Sequence, residues 1–221
     1  MRDNVASSRI AADSISKVGK AIATAFAQAG ASSVAILGRR EDRLKTALAE
    51  ISEKVPKATL LYAVADITKR EELEKAFTTF RTQAGAPHIL VSNAAVLPSP
   101  GPIASAEAEE LARSFESNVM GALNAAQVFL QHAQALENPM ILNVSSAIAH
   151  MAPLPKMGLY AASKSANAKM FDYLAVENPG VHVVNVQPGL INSGMNYNGM
   201  ALPWDERKLF LMPQHCHYVL C

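Results

Sequence analysis

Met140-Ile141-Leu142-Asn143-Val144-Ser145-Ser146 is an apolar run that closes on small polar residues. After a loop, Leu159-Tyr160-Ala161-Ala162-Ser163-Lys164 opens a helical pattern that reaches about Glu177. Val181-His182-Val183-Val184-Asn185-Val186 is apolar again and ends on Gln187-Pro188-Gly189. Apolar runs this short, bounded by turn residues, predict strands buried on both faces. A strand, a helix and a second strand in that order predict a parallel pair joined by a helical crossover.

The same alternation continues toward the N-terminus. Val34-Ala35-Ile36-Leu37, Thr59-Leu60-Leu61-Tyr62-Ala63-Val64 and Ile89-Leu90-Val91 read as strands. Between them, Leu44, Leu48 and Ile51 form one helix face, which stops before Pro56, and Leu73, Phe77 and Phe80 form another. Thr68 and Glu71 have capping-box spacing at the start of that second helix. Leu111, Phe115 and Val119 predict the apolar face of a long helix running to about Gln131. Val18, Ile22, Ala25, Phe26 and Ala29 recur at helical spacing, with Gly30 as the stop. The sum is an α/β fold: a doubly wound parallel sheet, Rossmann-like, in a single domain over residues 1–221.

Composition bounds the function. The chain has 221 residues, 50% hydrophobic and 18% charged, enough for one core without disulfide staples. Twenty Lys and Arg stand against 19 Asp and Glu, a net charge of +1, so no nucleic-acid partner is expected. With no run of about 18 apolar residues, no membrane span is expected either. Met1-Arg2-Asp3-Asn4 lacks an apolar signal region, and the only cysteines, Cys216 and Cys221, fit a reducing compartment. A cytoplasmic location is the expectation. His215, Cys216, His217 and Cys221 could in principle ligate a metal, but three are consecutive, which suits tetrahedral wrapping poorly; no metal site is expected. Met195, Met200 and Met212 are either pocket lining or apolar filler.

Tyr160 and Lys164 lie four apart on one helix face, with small residues between them. A nearby ammonium favours a phenolate, so the pair can serve as a general acid and base. Polar and small residues also close the other strands: Ser92-Asn93-Ala94-Ala95 after one, Ser145-Ser146 after another, with Asn118 in the long helix. In open α/β sheets, ligands bind at that edge.

With these motifs the chain resembles the short-chain dehydrogenase/reductase family, from about Val18 to Trp204. The resemblance implies a catalytic tetrad of Asn118, Ser146, Tyr160 and Lys164. Tyr160 would exchange a proton with a carbonyl or alcohol oxygen, and Ser146 would hydrogen-bond the same oxygen. Lys164 would lower the tyrosine pKa and bind the nicotinamide ribose, and Asn118 would hold a water linking Lys164 to solvent. Ser145 is the rival to Ser146; its other reading is a hydroxyl satisfied by nearby backbone. His150 either faces the substrate or sits on a surface loop.

Gly38-Arg39-Arg40 follows the second strand with no carboxylate there, and two guanidiniums can bind a 2′-phosphate, so NADP(H) is expected. Cofactor contacts are expected at Val18, Gly19, Arg39, Arg40, Asp66, Asn93, Tyr160, Lys164, Ile191 and Ser193. Family members are often dimers or tetramers, so a homo-oligomer acting on a small carbonyl or alcohol is implied.

Three departures from the family pattern point the other way. Residues 4–12 contain no continuous apolar run, which predicts either a gap at the sheet centre or a poor substitute strand. Asp13 and Lys17 occupy the first two glycine positions of the phosphate loop, leaving Gly19 alone. The tail after Trp204 matches none of the family's closing lid, helix and last strand. The competing expectation is a catalytically impaired protein of the same fold, such as a truncated product or an interaction module.

Overall fold

A computed structural model describes residues 16–189, together with the backbone of residues 9–12. Six strands form one parallel sheet: β1 (Arg9–Ala12), β2 (Ser33–Gly38), β3 (Thr59–Val64), β4 (Ile89–Ser92), β5 (Met140–Val144) and β6 (His182–Val186). Their order is β3-β2-β1-β4-β5-β6. The chain therefore reverses its direction of travel between β1 and β4, which opens a crevice at their carboxyl ends.

The sheet centre has no gap. Arg9–Ala12 pairs with Ser33–Ile36 on one side, and Ile10–Ala12 with Ile89–Val91 on the other. Of the two alternatives, the gap is corrected, and a short substitute strand within residues 4–12 is what forms. An apolar run was the wrong criterion, because four residues whose backbone is bonded on both sides form a strand from pairing alone. The family's last strand would fall outside the described residues.

Strand side chains alternate between two cores. Val34, Ile36, Ile89 and Val91 pack under α1 (Lys17–Gln28) and α2 (Glu41–Lys54). Ala35, Leu37, Leu90 and Ile141 pack under α3 (Arg70–Ala84), α5 (Ala122–Ala133) and α6 (Gly158–Glu177). Phe77, Phe129 and Phe171, one from each of those helices, are fully buried.

Three local expectations change. The buried stripe of α1 is Gly19, Ala23 and Ala27, while Ala25 and Ala29 face water. Small residues let α1 sit close to the sheet. It ends at Gly30, whose φ of 95° suits glycine: the Gly30 N–H donates to the Ala27 carbonyl and the Ala31 N–H to the Phe26 carbonyl. At α3, Thr68 does not cap; its N–H and hydroxyl both donate to Asp66, and Glu72 instead accepts from the Asp66 N–H.

The long helix is not one helix. α4 (Ala108–Phe115) runs into a π turn, Glu116–Gly121, and continues as α5. The extra residue of a π turn rotates the buried face. Ser114, Asn118 and Gly121 point inward, whereas Leu111 is 38% and Met120 54% exposed. Gly121 is needed there, since a Cβ would stand 2.6 Å from Cδ1 of Ile67.

Candidate active site

Helix α6 carries four polar residues inside. Tyr160, Ser163, Lys164 and Asn167 are all buried, at 7%, 0%, 4% and 2% exposure. Their spacing of three and four places them on one stripe. Lys164 donates from Nζ to the Val144 carbonyl oxygen at 2.9 Å. That bond fixes the ammonium at the carboxyl end of β5, directly before Ser145 and Ser146.

The two serines differ. Ser145 is built into the sheet edge: its N–H donates to the Val186 carbonyl at 2.8 Å. Its Oγ is buried and has no hydrogen-bond partner among the described residues. The reading of that hydroxyl as satisfied by nearby backbone is therefore corrected. Ser146 is half-buried and extended, with φ of −151°, and its carbonyl starts the 3₁₀ turn Ala147–Ala149. The Ser165 hydroxyl of α6 donates to the Ala149 carbonyl, so this turn is tied to the helix that bears Tyr160. His150 ends the turn and is exposed.

Asn118 is the anchor of the π turn. Its Nδ2 donates to the Val96 carbonyl at 2.9 Å and to Ser163 Oγ at 3.0 Å, and its Oδ1 accepts from the Val96 N–H at 2.7 Å. Both amide hydrogens are thus committed to protein, and Oδ1 keeps one lone pair. Ser163 Oγ in turn donates to the Tyr160 carbonyl at 2.9 Å. A continuous set of bonds therefore links the loop after β4, the π turn and the first turn of α6.

The opposite side of the crevice is set by Ser16. Its Oγ caps α1 by accepting from the Gly19 N–H at 3.0 Å and also accepts from Asn93 Nδ2 at 3.1 Å. Ser16 was missed in the sequence because its neighbours carried no recognisable strand; Ser-x-x before a glycine was the available signal. Lys17 is the exposed first residue of α1, Val18 is half-buried, and Gly19 is buried against the sheet.

At the end of β2, Arg39 reaches across the sheet edge toward Asp66, Nη1 to Oδ2 3.8 Å, with its side chain 67% exposed. Asp66 is oriented by the two bonds that its Oδ1 accepts from Thr68. Arg40 is exposed at the N-cap of α2. Ile191 and Ser193 lie outside the described residues, as do Asp13, the three methionines and the four C-terminal His and Cys residues. Among the described residues, no three His, Cys, Asp or Glu side chains are grouped to hold a metal. No described helix is long and apolar enough to cross a membrane.

The model of the short chain dehydrogenase family matches residues 15–201. The chain belongs to the short-chain dehydrogenase family. A short chain dehydrogenase/reductase of Claviceps purpurea is 33% identical over 202 residues, covering 88% of this chain and 66% of that protein. A short chain dehydrogenase of Pseudocercospora fijiensis is 34% identical over 183 residues, covering 80% of this chain and 57% of that protein. The chain thus spans between 57% and 66% of the length of these two relatives. Among solved structures, a short chain dehydrogenase of Shigella flexneri in complex with NADP superimposes with a TM-score of 0.83. At 21% identity, over 94% of this chain and 87% of that one, it shows the shared fold. Short-chain dehydrogenases are oxidoreductases, and the Rossmann-like sheet is theirs.

Proposed function

We propose that this chain is an NADP-dependent oxidoreductase that interconverts a small carbonyl and its alcohol. The observation that carries the reading is the buried stripe of α6, where Tyr160 and Lys164 sit one turn apart and Lys164 is bonded to the end of β5. A phenol beside an ammonium can give and take a proton near neutral pH. Tyr160 supplies the proton to the carbonyl oxygen in reduction and removes it in oxidation. Ser146, at the mouth of β5, donates a hydrogen bond to that oxygen as negative charge grows there. Lys164 holds the positive charge that favours the phenolate. Asn118 keeps the loop after β4 and the first turn of α6 in register, which leaves the crevice open between them.

The crevice suits a dinucleotide. The capped N-terminus of α1 offers backbone N–H groups to a pyrophosphate. Arg39 presents an exposed guanidinium beside Asp66, where an adenosine 2′-phosphate would lie, and Arg40 adds charge. Asn93, Tyr160 and Lys164 would meet the ribose and nicotinamide end, with Val18 and Gly19 at the phosphates. When bound, the cofactor supplies the hydride. A cytoplasmic setting and self-association belong to the same proposal.

One observation favours the second reading, an impaired protein of this fold. Lys17 places a long side chain on the first turn of α1, where the family has glycine. Titration of the purified chain with NADPH and NADH separates the two. The oxidoreductase reading expects NADPH to bind more tightly. Arg39→Ala should erase about 10- to 100-fold of that preference, the worth of a charge-assisted hydrogen bond. Absence of binding by either nucleotide would favour the impaired protein.

A further inference from the structure

Four side chains that proton transfer does not use form one hydrogen-bonded run beneath the strand ends. Asn185 on β6 donates from Nδ2 to Oδ1 of Asp172 on α6 at 3.0 Å. Asn143 on β5 donates from Nδ2 to Oδ1 of Asn185 and to Oδ1 of Asn167, both at 2.7 Å. Asn167 on α6 donates from Nδ2 to the backbone carbonyl of Asn118 at 2.8 Å. Asn143 and Asn118 are 1% exposed. At the outer end, Asp172 also pairs with Lys169 at the surface.

The ends fix the polarity of this run. A carboxylate and a backbone carbonyl only accept. Asn185 and Asn167 must therefore each turn nitrogen outward and oxygen inward. Asn143, between them, must donate both of its hydrogens. Flipping any one amide would set oxygen against oxygen, and Asn143 and Asn167, at 1% and 2% exposure, are too buried for solvent to relieve it. A buried network satisfied in a single arrangement is stiff, and breaking one member strands its neighbours.

Asn167 holds the decisive place. It follows Lys164 by three residues and Tyr160 by seven, on the same stripe. It reaches both β5, through Asn143, and the π turn, through Asn118. The helix's second polar bond to β5 is Lys164 to Val144, the residue next to Asn143. The other buried residues of the stripe, Ala168 and Phe171, pack by apolar contact, which is not directional. Directional bonds are what fix the rotation and axial position of α6.

We propose that Asn167 is a positioning residue: its amide, acting through Asn143 and the Asn118 carbonyl, sets where α6 presents Tyr160 and Lys164 at the end of β5. The activity arm of its test rests on the oxidoreductase reading; the exchange arm does not.

The test uses the whole chain with Asn167→Leu, Asn167→Ala and Asn167→Asp. The first two remove the donor and the acceptor. At pH 5.5 a buried carboxyl is protonated, since burial disfavours its charge, so Asn167→Asp still accepts from Asn143 and still donates to Asn118. With NADPH and 4-nitrobenzaldehyde at pH 5.5, kcat should fall by about 30-fold or more in whichever apolar variant folds, with KM for both substrates within about threefold of wild type. Asn167→Asp should stay within about threefold of wild-type kcat. In parallel, amide hydrogen exchange across residues 116–121 should quicken in the apolar variant and remain unchanged across 70–84. The proposal is overturned if the apolar variants keep wild-type kcat, if Asn167→Asp is as slow as they are, or if exchange at 116–121 does not change. If the wild-type chain reduces no aldehyde, the oxidoreductase reading has failed, and exchange alone judges the role of Asn167.

Discussion

Asn118→Asp is the substitution that asks most of this structure. It changes one NH₂ to one oxygen and leaves volume unchanged. The bond from the Val96 N–H at 2.7 Å survives, because Oδ1 still accepts. The two bonds given by Nδ2 do not. One now sets a carboxylate oxygen against the Val96 carbonyl at 2.9 Å. The other sets it against Ser163 Oγ at 3.0 Å, whose hydrogen is already given to the Tyr160 carbonyl. Each bond lost is worth about 1 kcal/mol, and each buried acceptor left facing another adds about 1–2 kcal/mol. The side chain is 1% exposed, so water cannot relieve either contact. The total is about 4–6 kcal/mol, or a Tm lower by about 8–24 °C for a chain of this size. Protonation restores one donor, so the deficit should shrink between pH 8 and pH 5. Urea unfolding at both pH values reads the effect. A variant within about 1 kcal/mol of wild type at pH 8 would refute the bonding assigned to Asn118.

Other outcomes follow from the same structure. Gly121→Ala places a Cβ 2.6 Å from Ile67, which is 7% exposed and has nowhere to go, so a loss of about 1–3 kcal/mol in thermal or urea unfolding is expected. Gly158→Ala makes a contact just as short with Ile103, but that side chain is 65% exposed and can turn away, so the cost should stay under about 0.5 kcal/mol. His132 packs against Phe77 with its Nδ1 buried and unpartnered among the described residues, and burial, reinforced by Arg81, lowers its pKa from 6.5. The unfolded chain therefore takes up the proton first: stability is unaffected above pH 6.5 and falls as pH drops below it, toward the lowered folded value. Urea titrations from pH 7.5 to pH 5 should show that slope in wild type and a shallower one in His132→Phe.

Most of the sheet was legible because its strands are apolar runs between turn residues. Val34–Leu37 and Ile89–Val91 sit where the pattern put them, buried on both faces. Arg9–Ala12 was not legible, because its pairing partners, not its composition, make it a strand. The π turn was hidden for a related reason. Leu111, Phe115 and Val119 fit an unbroken α period, and only the inserted residue turns Asn118 inward. The Tyr160 and Lys164 pair was readable from its helical spacing together with the small and polar residues that close the neighbouring strands. The amide run through Asn143, Asn167 and Asn185 was not, since three asparagines on three elements carry no shared period.

Tyr160 is proposed to move the proton in a crevice that binds NADPH. Tyr160→Phe removes one oxygen atom from a residue that is 7% exposed and should leave the fold intact, while NADPH affinity falls by no more than about tenfold, the worth of one hydrogen bond to the ribose. Loss of a general acid lowers turnover by about 10²- to 10⁴-fold. The deciding measurement is kcat for aldehyde reduction at saturating NADPH, wild type against Tyr160→Phe. A fall in that range with NADPH saturating both proteins is the predicted result; a variant that turns over as fast as wild type would contradict it.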